Sequence, residues 1–205
     1  MDRSLKNWEM ALLFGVLCAL VFGGWINREQ QELADQVVRL HVIANSDSTR
    51  DQAMKLAVRD RVLAKAENLY SGEATRSEAL EILSQHLPEL AQEGQAVVEE
   101  WGGEENVTAQ IERCWFPTKE YENFALPAGE YTALRIVIVE GQGQNWWCVA
   151  FPPLCLGAAS ESVEQATQAG NFTPDQAALI TGEYEGYVLK FKSMELLGQL
   201  KGLFS

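Results

Sequence analysis

The longest uninterrupted apolar stretch of the chain runs from Met10 to Ile26, MALLFGVLCALVFGGWI, and holds no charged side chain. Roughly 17 to 25 such residues cross a bilayer as a helix, so the stretch sits at the short end of a spanning segment. A secretory signal has a shorter apolar centre, about 7 to 15 residues, followed by a small-residue cleavage site. No Ala-x-Ala follows here; Gly23 and Gly24 are the small residues at hand. The pattern predicts an uncleaved anchor or signal at 10–26 with Trp8 and Trp25 at its two interfaces, a cytoplasmic n-region at 1–9 and a polar juxtamembrane linker at 27–36. A buried core helix is the alternative, and a terminal run that is apolar all round argues against it.

Beyond the linker the periodicity changes. Val37 to Ile43 is rich in β-branched residues and reads as a strand, ending at the turn residues Asn45-Ser46-Asp47-Ser48. Thr49 to Tyr70 contains neither Gly nor Pro and reads as a helix with Asp47 or Ser48 as its N-cap. Thr75 and Glu78 have capping-box spacing and open a second helical stretch, with Leu80, Leu83, Leu87 and Leu90 recurring at three and four. Pro88 should kink or split it, and Gly102-Gly103 should end it after Val97, Val98 and Trp101.

From Asn106 onward strands dominate. Val107, Ala109 and Ile111 alternate with polar residues, whereas Tyr131 to Val139 is apolar on both faces and belongs in the middle of a sheet. Glu140 to Gln144 reads as a hairpin loop with Asn145 to Phe151 as the returning partner strand. Residues 157–186 are polar, Ala-rich and broken by Gly170, Pro174 and Gly182, which predicts a flexible insertion or a short helix. A strand at Tyr187 to Lys192 and an amphipathic helix carrying Leu196, Leu197, Leu200 and Leu203 close the chain. The expectation is an α+β fold: a mostly antiparallel sheet of about four to five strands, packed by two N-terminal helices and a C-terminal helix and preceded by the apolar helix. Residues 37–205 would form that extracytoplasmic domain.

The formal charge of −13 changes the list of partners. Asp2 and Glu9 offset Arg3 and Lys6, so the acidity belongs to the domain and excludes nucleic acid as a natural ligand. It also disfavours adhesion to anionic lipid, which leaves residues 10–26 as the membrane contact.

Side-chain chemistry is sparse. On the helix from Thr49, Lys55 and Arg59 fall in the same sector as Val62, Ala66 and Tyr70, with Asp51 one turn earlier. These are either ion pairs and snorkelling stems of a structural kind or charges presented to a partner. His41, His86, Cys114, Cys148 and Cys155 are of ligand and nucleophile type, yet no Cys-x-x-Cys or His-x-x-x-His pair occurs, so no metal and no cofactor are expected. His41, Ser46 and Asp47 make no triad without a nucleophile on a strained elbow. Cys148 and Cys155, with six residues between them, are either a disulfide, contributing about 2.5 kcal/mol by loop-closure entropy, or two buried thiols.

Three stretches share a likeness: RLHVIANSDSTRDQAMKLAVRDRVL from Arg39, FPTKEY from Phe116, and LPAGEYTALRIVIVEGQGQNWWCVAFPPLC from Leu126. Together they resemble the stage II sporulation protein R family over roughly Val37 to Leu156, most specifically in NWWC and FPPLC. The resemblance implies a signal made in the forespore and exported into the space between the two sporangial membranes. It implies no enzymatic reaction and no small-molecule substrate. The partner would be a membrane-embedded aspartic protease of the mother cell, which on activation processes a pro-sigma factor. Trp146, Trp147, Phe116, Lys119 and Tyr121, together with Asp51, Lys55 and Arg59, are the candidate partner-binding residues, Trp and Tyr because they dominate interface hot spots. Adjacent tryptophans on a strand point opposite ways, so at most one is free for a partner unless helices cover both faces. A secreted cell-wall hydrolase and an anchored structural domain are the readings from other classes.

Overall fold

In a computed structural model the chain is described at residues 6–70, 74–104, 106–121, 124–154 and 159–181, except for the side chains at 7, 19, 20, 22–30, 159–162 and 179. The N-terminal stretch is one continuous helix, α1 (Asn7–Ala34). Trp8, Leu12, Leu13, Phe14, Leu17 and Val21 stand exposed on it, while Leu33 and Ala34 at its far end are buried in the domain. Among the described residues no helix is long and apolar enough to cross a membrane.

Strand β1 (Val38–Ile43) follows directly. The polar turn after it delivers Ser48, whose hydroxyl accepts from the Asp51 N–H and starts α2 (Thr49–Glu67). Thr75 and Glu78 form the reciprocal capping box of α3 (Arg76–Gln85). Pro88 lies in the first turn of α4 (Leu87–Glu100), so the second helical stretch is split as its proline requires, giving three helices where two were expected. Then come β2 (Val107–Phe116), the two-residue strands β3 (Lys119–Glu120) and β4 (Ala125–Leu126), β5 (Gly129–Ile138) and β6 (Asn145–Phe151). Within the expected insertion lie two short helices, α5 (Ala159–Gln168) and α6 (Pro174–Thr181). The expected strand and helix of the tail lie outside the described residues.

The fold is α+β, and the main sheet has four strands in the order β2-β5-β1-β6. Two ladders are antiparallel and the β1–β5 ladder is parallel, with Leu40 opposite Leu134 and Val42 opposite Ile136. The position of β5 inside the sheet follows from its apolar content on both faces. The pairing of β6 does not follow the hairpin expectation: β6 bonds β1, and β1 lies between β5 and β6. The loop from Val139 to Gln144 therefore steps over the end of β1. Its path is fixed by Gly143 N–H donating to Ala44 O (2.9 Å), Gln142 N–H to Asn45 O (3.2 Å) and Gln144 N–H to Asp47 Oδ1 (2.7 Å).

Both faces of the sheet are covered. On one, Met54, Val58, Val62, Ala79, Leu83, Leu90 and Val97 of the three helices pack on Leu40, Val42, Leu134, Ile136 and Ala150. On the other, Tyr131, Ala133 and Val149 meet Leu33 and Ala34 of α1, Phe124 and Leu126, and Val163, Ala166, Phe172 and Ile180 from α5, the α5–α6 turn and α6.

Candidate functional site

Alternation along β1 sends Leu40 and Val42 to the helical layer and Arg39 and His41 to the opposite face. Arg39 is fully buried. Its Nε donates to Cys148 O (2.9 Å) and its Nη2 to the Tyr121 hydroxyl (3.1 Å), which in turn donates to Trp147 O (2.9 Å). The guanidinium lies 4.5 Å from the Phe116 ring centre and 5.0 Å from that of Tyr131. Among the described residues no carboxylate pairs with it, and Nη1 has no hydrogen-bond partner. Aromatic faces stand in for the missing anion. Burial pushes the Tyr131 phenol up to about 12 and raises that of Tyr121 as well, so both are donors at neutral pH.

One step along the same face, His41 meets residues from β2 and β5. Its Nε2 lies 3.0 Å from Asn145 Oδ1 on β6. A carbonyl oxygen only accepts, so Nε2 carries the proton and Nδ1 keeps a bare lone pair; Nδ1 is buried and without a hydrogen-bond partner. Ligand atoms of His41, Glu112 and Cys114 all lie within 4.8 Å of one another. They meet although β5 runs between their strands, and Ala133, opposite Glu112, offers only a methyl group there. Arg135 Nη1 reaches both Glu112 oxygens, at 3.3 and 3.4 Å. Burial pulls the His41 imidazole below its usual range, partly offset by the Asn145 hydrogen bond. Burial, reinforced by the neighbouring Glu112 carboxylate, pushes the Cys114 thiol up to about 11. That is the opposite of an activated nucleophile, whose thiolate must be favoured near neutral pH.

The residues singled out from sequence divide between the two faces. Trp146 turns to the helical layer, where the Arg59 guanidinium covers its ring at 4.5 Å; Arg59 also pairs with Asp60 at 2.6 Å. Trp147 turns the other way, its ring 6.2 Å from that of His41. Phe116 is fully buried against Arg39, Tyr121 lies between Arg39 and Trp147, and Lys119 is exposed on β3. Lys55 is buried and donates to Gln52 Oε1 (2.6 Å) and Gln144 O (2.9 Å), which ties α2 to the crossover loop. Burial lowers its pKa, against the pull of Asp47. Asp51 accepts from Ser46 Oγ at 2.5 Å, so Ser46 serves the turn and not His41. Cys148 is disulfide-bonded; Cys155 lies outside the described residues. Sequence reasoning missed Arg39, Glu112, Arg135 and Asn145. The available signal was Arg39 itself, a cation inside a strand apolar on both sides of it.

The family profile described as stage II sporulation protein R matches residues 34–161. The chain belongs to that family. A curated member, stage II sporulation protein R of Bacillus subtilis (strain 168), is 35% identical over 148 residues, which cover 71% of this chain and 66% of the relative. No solved structure matches the chain. The span matched to the stage II sporulation protein R family takes in β1 through β6 and thus Arg39, His41, Glu112, Cys114 and Arg135. Residues 10–26 precede it.

Proposed function

We propose that this member of the stage II sporulation protein R family is an extracytoplasmic signalling protein. Held or exported by its N-terminal helix, it activates a membrane-embedded aspartic protease of the mother cell and so triggers processing of a pro-sigma factor, with no catalysis of its own. The observation that carries the reading is the family match across the whole sheet. Two features support it. The side chains of Trp8, Leu12, Leu13, Phe14, Leu17 and Val21 stand free of the domain, as a helix destined for lipid requires, while Leu33 and Ala34 at the other end of α1 are built into the core. The acidic domain suits recognition of a protein and not of nucleic acid or anionic lipid.

Activation without chemistry needs only that the domain bind the active state of the protease more tightly than the inactive one. Trp146, Trp147 and Tyr121, all half-buried, and the exposed Lys119 supply contact groups of the kind found at hot spots. The hydrolase reading draws on the proximity of Cys114 to His41. Burial and the neighbouring Glu112 carboxylate, which push that thiol up to about 11, favour the signalling reading over it.

The test is topological. A reporter active only outside the cytoplasm, fused after Ser205, is expected to be active in the native host and to fall silent when residues 10–26 are deleted. A reporter active only in the cytosol giving signal from the full chain would overturn the reading.

A further inference from the structure

We propose that His41, Glu112 and Cys114 form a binding site for a divalent cation of the zinc class. The donor set of imidazole, carboxylate and thiolate is the one such ions take, and three protein ligands leave a fourth tetrahedral position to solvent. Donor atoms already within 4.8 Å of one another need only small side-chain adjustments to close on one ion. The independent observation is the state of the imidazole. Asn145 holds Nε2–H, as the outer partner of a metal-ligating histidine does, and this leaves Nδ1 with a lone pair that nothing in the described structure uses. The other two donors both stand on β2, on the far side of β5 from His41.

The charges balance. Binding displaces the Cys114 thiol proton to solvent, giving a thiolate and the Glu112 carboxylate against the doubly charged ion. Arg135 keeps its hold on Glu112 from the outside and orients it. The ion would join β1 to the edge strand β2 across β5, so it would act as a clamp on the same face that buries Arg39.

The full chain purified in detergent, carrying Cys18→Ser to remove the exposed thiol, is titrated with Co²⁺ and then with Zn²⁺. One equivalent of Co²⁺ is expected to give a thiolate-to-cobalt charge-transfer band that Zn²⁺ abolishes, and Zn²⁺ is expected to raise the melting temperature. Cys114→Ser in the same background, which changes one atom, should lose the band and the thermal shift while keeping the native circular dichroism spectrum. His41→Ala should lose the band as well, and Glu112→Gln should weaken it. No band at one equivalent, or a band unchanged in folded Cys114→Ser, would overturn the proposal, the second result meaning adventitious binding elsewhere.

Discussion

Arg39 carries a full positive charge into a position closed to solvent, where desolvation costs several kcal/mol unless it is compensated. Compensation comes from Cys148 O, the Tyr121 hydroxyl and the faces of Phe116 and Tyr131, and none of these is an anion. Packing and charge therefore separate in a simple series. Arg39→Ala removes the stem, empties the space between two rings and should cost about 3–5 kcal/mol, as large-to-small core changes do. Arg39→Met fills most of that space without a charge to desolvate and should cost less than about 2 kcal/mol. Urea denaturation of both variants decides it. Equal losses would mean that the hydrogen bonds of the guanidinium, and not its bulk, hold this face together.

The element that sets the topology is the crossover loop from Val139 to Gln144. Gly141 adopts a φ of +61°, in the left-handed region that favours glycine. Gly143 has ordinary backbone, but a Cβ there would lie 2.4 Å from the carbonyl oxygen of Ser46, a backbone atom that cannot swing aside. Gly143→Ala should accordingly push the loop off the β1–α2 turn and lower stability by about 1–3 kcal/mol, with faster exchange of the backbone amides at positions 142 and 143 as the local readout. An unchanged melting temperature and unchanged exchange would contradict the close approach. The same loop shows why the sheet was only partly legible. Apolar faces on both sides placed β5 inside it and β-branched content marked β1 as a strand, because those patterns are local. Glu140-Gly141-Gln142-Gly143-Gln144 looks like a hairpin turn whether or not a third strand slips between its arms, and β1, far upstream, is that strand. The cation cluster was hidden for the same reason: His41 and Cys114 have no short spacing, and only the register across β5 brings them together. The caps at Ser48 and Thr75 and the break at Pro88 were readable because each depends on a few neighbouring residues.

For the molecule as a whole, the domain is acidic, covered on both sheet faces and joined without a break to a helix on which Trp8, Leu12, Leu13, Phe14, Leu17 and Val21 are exposed. On the proposed reading such an arrangement presents a shape to a partner, and burial raises the Cys114 thiol away from the range of an activated nucleophile. The central claim is that recognition across a bilayer is sufficient. Cells that make only the membrane protease, its pro-sigma substrate and this chain give the most direct measurement, with precursor cleavage followed by immunoblot. The account predicts cleavage when the chain carries its own or a substituted export segment, and none when residues 1–26 are removed and the domain stays in the cytosol. Cleavage driven equally well by the cytosolic domain, or cleavage of the precursor by the exported chain in cells that lack the protease, would contradict it.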